Sequence, residues 1–353
     1  MRRTARASIN HDALVHNFNR VKQLAPDSRV MAVIKADAYG HGMVQVAKTL
    51  QQADGFAVAC IKEALALREA EIQQPVSVFQ GFQTAEQLQQ CIKHQLRPVI
   101  YQQQQIELLE QNTQGRLSVW FKVDTGMGRL GIRPEDVDDC WQRLARCQFV
   151  DEVGLMSHYA NADDPQHKLN HQQTDFFRQL AARLKVETSM CNSAGLMAFS
   201  DMQGDWVRPG IMLYGSSPLL NQSAEQLDLK PVMQLESEII AINDLKKGDA
   251  VGYGGQWVCP EDMPVGVVAI GYGDGYPRHA ATGTPVSVNQ QQTQLIGRVS
   301  MDMISIDLRK LDHVQVGDLV QLWGDRISVD EVARSTGTIG YELLCHASGC
   351  RLI

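Results

Sequence analysis

Eight short apolar runs rich in β-branched and aromatic residues occur between residues 29 and 208, most of them separated by a longer stretch whose apolar positions have helical spacing. They are RVMAVI from Arg29, FAVA from Phe56, VSVF from Val76, RPVI from Arg97, SVWFKV from Ser118, EVGLM from Glu152, VETSM from Val186 and DWVR from Asp205. KEALALREA, residues 62–70, typifies the intervening segments. The absence of polar alternation within the runs points to strands buried on both faces. Eight parallel strands, each trailed by a helix, close into a (β/α)8 barrel. An open doubly wound sheet is the rival that the same alternation permits. Ahead of the first run, Asn10 is a candidate N-cap, and Leu14, Phe18, Val21 and Leu24 form one apolar face, so a helix is expected to come first.

The texture changes after Gly215. A polar connection, NQSAEQ, leads to short strand candidates with turn signals between them: LESEIIAI, AVGY, VGVVAI, PVSV, MISIDL and LVQLW. KKGDAV and QVGDLV echo one another as two similar hairpin turns. Ser328 and Glu331 fit a capping box opening a short helix, and another helix is expected over residues 341–348. The expected fold class is therefore α/β, a (β/α)8 TIM-like barrel over residues 1–228 followed by a mainly β domain over residues 229–353.

A net charge of -7 argues against a sequence-independent attraction to nucleic acid or anionic lipid, which leaves a small molecule as the expected partner. MRRTARASIN has charge but no apolar segment behind it, and runs such as residues 265–270, broken by Gly266, are too short to span a bilayer. The eight cysteines form no Cys-x-x-Cys pair and do not cluster with histidines, so no metal site is expected and reduced cytoplasmic thiols are.

Polar residues fall at or just past the carboxyl ends of the runs: Lys35 after the first, Lys122, Asp124 and Arg129 after the fifth, His158 after the sixth, Asn192 and Ser193 after the seventh, Arg208 ending the eighth. In a barrel those ends share one face, where chemistry is done. Lys35 enters a glycine-bracketed loop with Asp37, Tyr39 and His41. A partly desolvated amine flanked by cations loses its proton readily, as a Schiff-base lysine must, and its natural partner is an aldehyde cofactor. Asn192-Ser193-Ala194-Gly195 and Arg208-Pro209-Gly210-Ile211 offer a hydroxyl and open amides for a phosphate, or are ordinary βα turns. VGYGGQW and GYGDGYPRH display tyrosines or pack them; no helix pattern follows the second, so it is a poor dinucleotide fingerprint.

MAVIKADAYGHG, FKVDTGMGRLGI, MSHYANAD, CNSAG, VRPGIMLYG, VGYGGQW, GYGDGYPRH and GRVSMDM, in this order, closely resemble the alanine racemase family of fold-type III pyridoxal-phosphate enzymes, from about Ile9 to the last residues. The resemblance implies that Lys35 forms the Schiff base with pyridoxal 5'-phosphate and then acts as one acid/base. It implies that Tyr253 is the opposite base, donated from the second subunit of a homodimer. Arg208 would face the pyridine nitrogen, His158 would lie near the ring, and Tyr39, Asn192, Ser193, Gly210, Ile211 and Tyr341 would complete the cofactor site. Arg129 and Met301 would contact the substrate carboxylate, with Lys122 at a position often carbamylated in the family. Tyr272, Arg278, Arg298 and Asp302 would form the entryway. The nearest oddity is Gly273, where the family often has alanine.

The implied activity is interconversion of L- and D-alanine by two-base proton transfer. A planar carbanion must lose a proton from one face and gain one on the other, which one base cannot easily do. A phenol is a weak base unless cations or hydrogen-bond donors favour the phenolate, a role expected of His158 and Arg208. Arginine rather than a carboxylate at the pyridine nitrogen would keep the ring neutral and suppress transamination. Two other readings are a broader racemase accepting serine or larger amino acids, disfavoured by crowding from Tyr272 and Tyr341, and a non-catalytic pyridoxal-phosphate carrier, which would lack the β domain. A fold-type III decarboxylase would not be expected to show VGYGG.

Overall fold

A computed structural model describes residues 4–347 and 350–352. Strands β2 (Arg29–Val33), β3 (Gly55–Val58), β4 (Val76–Val78), β5 (Leu96–Ile100), β6 (Leu117–Lys122), β7 (Val150–Met156), β8 (Thr188–Ser189) and β9 (Trp206–Val207) pair in parallel. β2 pairs with both β3 and β9. A parallel bridge between Asn192 and Arg208 joins β8 to β9, and Arg208 N donates to Cys191 O at 2.9 Å, so the sheet returns on itself as a barrel. Phe56, Val78, Val99, Val119, Phe121 and Leu155 are buried, as expected of strands covered on both faces. The open sheet is excluded.

A helix, His11–Leu24, does precede the first barrel strand, capped by Asn10 Oδ1, which accepts from Ala13 N at 2.9 Å. It does not come first in the chain: β1 (Arg6–Ile9) precedes it and runs antiparallel to β10 (Met233–Leu245) in the second sheet. Four residues, RASI, are too short to carry a pattern signal of their own. Asn17 on that helix, fully buried, donates to Leu213 O and Lys230 O and accepts from Lys230 N, pinning the chain where it leaves the barrel.

The second sheet is antiparallel except where β1 meets β18 (Arg351–Leu352). It adds β13 (Met263–Val268), β14 (Pro285–Val288), β15 (Gln291–Ile296), β16 (Ile304–Asp307) and β17 (Leu319–Trp323). β10 carries a bulge between Ile239 and Ala241, which lets its first half pair with β1 and β17 and its second half with β13. A separate ribbon, β11 (Ala250–Val251) with β12 (Trp257–Val258), carries the VGYGGQW loop. The echo between KKGD and QVGD is one turn used twice. In each, the aspartate carboxylate accepts from the N–H three residues earlier (Lys246, Gln315), and the glycine has a left-handed φ, +94° at Gly248 and +97° at Gly317.

Ser328 caps the helix Val329–Thr336, accepting from Asp330 N rather than from Glu331, so the expected capping box reduces to a single cap. The following helix spans Gly340–His346; Ser348, where it was expected to end, lies outside the described residues. Asp330 joins the two halves, accepting from Ser217 N at 2.8 Å and from Ser216 Oγ.

Candidate active site

A cavity of about 580 Å³ opens at the carboxyl ends of the barrel strands. It brings together Lys35, Tyr39, Lys122, Arg129, His158, Asn192, Ser193, Arg208, Gly210, Ile211 and Tyr341. These come from five strand ends and the helix Gly340–His346, whose docking across the barrel mouth supplies Tyr341.

Lys35 follows β2 and opens a turn that ADAY would not suggest. Ala36, Asp37, Ala38 and Tyr39 all have φ between 51° and 54°, a left-handed helical turn of non-glycine residues. At about 1–2 kcal/mol per residue, such a turn costs several kcal/mol and persists only where its surroundings impose it. Glu63 accepts from Ala36 N at 2.8 Å and from Ala59 N at 2.7 Å; Asp37 accepts from Met43 N at 2.7 Å. Burial lowers the Lys35 pKa, and Arg129 adds to this against the opposing pull of Glu63. The amine thus loses its proton more easily than a solvated lysine does.

Arg208 is 3% exposed and donates to Ser189 Oγ at 2.6 Å, Ser157 O at 2.6 Å and Met190 O at 3.2 Å. His158 stands between two donors at 3.3 Å, Arg208 Nη2 and Asn192 Nδ2. A neutral imidazole can accept at only one nitrogen. Burial, then Arg208 and Lys122, hold the His158 pKa well below its ordinary value, so the ring is neutral. Behind it, the buried Gln173 donates to His158 O and Thr125 Oγ1.

Lys122 is pushed down to about 8 by burial, then by Arg208 and Arg129. Asp124 opposes this, and its Oδ1 accepts from the amides of Gly126, Met127 and Gly128. Ser193 Oγ accepts from Gly210 N at 2.8 Å and Met212 N at 3.4 Å. A Cβ at Gly210 would lie 2.6 Å from the Tyr39 hydroxyl, so the absent side chain is what leaves that corner open.

Residues 9–218 match the model of the alanine racemase N-terminal domain and residues 232–351 that of the C-terminal domain. The chain belongs to the alanine racemase family. It is 50% identical over 345 residues to an alanine racemase of Nitrosococcus oceani, covering 97% of each chain. The biosynthetic alanine racemase structure of Pseudomonas aeruginosa superposes with a TM-score of 0.95 at 40% identity, covering 100% of this chain and 99% of that one. The alanine racemase of Bartonella henselae, solved with covalently bound pyridoxal phosphate, superposes at 0.90 with 30% identity, covering 99% of each.

In this member of the alanine racemase family, the remaining expected residues stand apart from the cavity. Tyr253, Tyr272 and Met301 are 69%, 41% and 54% exposed on the second domain, and Arg278 and Asp302 are exposed there too. Some of them gather with one another. Arg298 donates to Gln256 in the Tyr253 loop at 2.8 Å, and Tyr272 N and Gly273 N donate to Ser300 O and Met301 O. Within one chain, Tyr253 does not line the cavity that holds His158 and Arg208.

Other cavity residues were not singled out from the sequence: Phe79, Gln80, Leu130, Met156 and Cys345 among them. Phe79 and Gln80 follow β4 and obey the same strand-end rule as Lys35. Cys345 lies four residues after Tyr341, one helical turn along the same face.

Proposed function

We propose that Lys35 and Tyr253 are the two acid–base groups of a reaction carried out in sites shared between the subunits of a homodimer. The enzyme interconverts L- and D-alanine and depends on pyridoxal phosphate. The observation that carries the assignment of residues is the division just described: a lysine of lowered pKa lines the cavity, while the tyrosine that would oppose it is exposed on the second domain of the same chain. Isologous contact of two copies would let each phenol complete the other's cavity.

The cavity suits the cofactor. Arg129 and Arg208 line it as cations and no carboxylate side chain does among the described residues, which suits a dianionic phosphate with a substrate carboxylate. Lys35 would hold the cofactor aldehyde, the corner left open by Gly210 with Tyr39, Ser193, Asn192, Ile211 and Tyr341 would take the phosphate end, and Arg208 with His158 would sit against the ring. When bound, pyridoxal phosphate supplies the electron sink that makes the substrate α-hydrogen acidic. Lys35 Nζ takes or returns that proton on one side and Tyr253 Oη does so on the other. Arg208, held by three acceptors and cationic at neutral pH, cannot pass a proton onward. Arg129, through its guanidinium, and Met301 would contact the substrate carboxylate, and carbamylated Lys122 would orient that guanidinium. Tyr272, Arg278, Arg298 and Asp302 form the entry.

The division at residues 228 and 229 marks the functional boundary, with β1 crossing it. A cytoplasmic location is supported by the cysteines, of which Cys60, Cys91, Cys140, Cys147, Cys191 and Cys259 are unbonded thiols. Purified protein incubated separately with L-alanine and L-serine should form D-alanine and show the cofactor's visible absorbance, with serine turnover far slower. Colourless protein racemising neither substrate would reject the reading, and equal turnover of serine would favour the broader racemase.

A further inference from the structure

The loop that carries Lys35 holds a buried side chain that no step above uses. His41 is 1% exposed, and its Nδ1 lies 2.9 Å from both Ala38 O and Tyr39 O. Both partners are carbonyls and can only accept, so Nδ1 carries the proton and donates to the pair. Nε2 is left as a bare acceptor, buried without a hydrogen-bond partner. Burial pushes the ring's pKa down to about 4 against the pull of the two carbonyls, which keeps it neutral at working pH. A buried polar atom left unpaired is unfavourable, and the position would be easier to fill with an apolar ring unless the Nδ1–H were needed.

The two carbonyls belong to the last residues of the left-handed turn, Ala38 at φ 54° and Tyr39 at φ 53°. The His41 ring packs on Tyr214 with centroids 4.6 Å apart; Tyr214 packs on Tyr39 at 4.8 Å and donates its hydroxyl to Val33 O at 2.9 Å. The three rings therefore bridge the end of β2, the turn after it and the segment following Gly210. We propose that His41 is a positioning residue: its Nδ1–H clamps the Ala38 and Tyr39 carbonyls, holds residues 36–39 left-handed and so aims the Tyr39 hydroxyl into the corner at Gly210. The consequence for cofactor binding rests on the reading of Tyr39 as a phosphate contact; the backbone clamp does not.

His41→Phe keeps a ring on Tyr214 and removes the donor, whereas His41→Asn returns an N–H near the Nδ1 position. On the full-length protein, amide exchange of residues 35–42 should quicken by about tenfold or more in His41→Phe and return toward the parent in His41→Asn. Affinity for pyridoxal phosphate should fall by about tenfold in His41→Phe while that for pyridoxal, which lacks the phosphate, stays within about twofold. Tyr39→Phe should weaken pyridoxal phosphate alone and leave exchange unchanged. Parental exchange in His41→Phe overturns the clamp whatever Tyr39 does. Quickened exchange with parental pyridoxal phosphate affinity in both His41→Phe and Tyr39→Phe overturns the reading of Tyr39 and the aiming role with it. Equal loss of both ligands, not rescued by His41→Asn, also overturns the proposal. Should His41→Phe not fold, nitrogen NMR of the parent protein decides: an imidazole protonated at Nδ1 and bare at Nε2 between about pH 5 and 8 is expected, and an Nε2–H ring contradicts it.

Discussion

Gly40 and Leu344 are in backbone contact: a Cβ placed on Gly40, whose φ is +82°, would lie 2.3 Å from the Leu344 carbonyl oxygen. The turn that begins at Lys35 is thus braced by the helix that supplies Tyr341 and Cys345, and the two halves of the chain meet at the loop that carries Lys35. Gly40→Ala combines a disfavoured φ with a clash against backbone that has no flexible end to move. It should destabilise the protein by about 2–3 kcal/mol, seen as a melting point lower by several degrees, and should weaken cofactor binding in the fraction that folds. A variant with parental melting and affinity would show that the helix is not a brace.

Carbon dioxide adds to a neutral amine, and Lys122, pushed down to about 8, offers one near neutral pH. Exhaustive removal of carbon dioxide and bicarbonate should raise KM for alanine by about tenfold, as expected when a charge-assisted contact to Arg129 is lost, and Lys122→Ala should no longer respond. A parental KM without carbon dioxide would remove the carbamate. The lowered pKa also fixes the sign of a stability effect in protein kept free of carbon dioxide. The unfolded lysine holds its proton to higher pH than the folded one, so the penalty is complete below about pH 8 and fades as pH rises from there into the ordinary lysine range.

Burial pushes Arg208 down to about 10, which still leaves it cationic at neutral pH. Arg208→Glu would place a group that can hold a proton against the ring. Pyruvate formed from alanine per racemisation event should then rise by about an order of magnitude or more, measured on variant protein whose circular dichroism matches the parent. Unchanged partitioning would mean that this arginine does not control the side reaction.

The barrel was legible because its strands are buried on both faces and their runs stand out as uninterrupted apolar segments, and its site was legible because Lys35, Lys122, His158 and Arg208 interrupt that pattern at one end of each strand. β1 and β15 were not: RASI is too short, and QQTQLI pairs through its backbone while four of its six side chains are polar. The left-handed turn was equally hidden. ADAY has good helix formers, and its conformation is imposed from outside by Glu63, by the contact of Gly40 with Leu344 and by His41. That Tyr253 stands outside its own chain's cavity could be expected only from family resemblance, since no pattern within one chain encodes which copy completes which site.

The central claim is that each cavity works with a tyrosine from the other copy. Lys35→Ala and Tyr253→Phe should each lose about 10²–10⁴-fold or more in kcat, with Tyr253→Phe keeping the cofactor's visible absorbance. Co-expressed in equal amounts with distinguishable tags, the two inactive chains should regain about a quarter of parental activity, because half of the random dimers contain one site with both groups intact. Activity recovered only in the mixed dimer is the predicted result; no recovery in a mixed dimer that demonstrably forms would contradict the shared site.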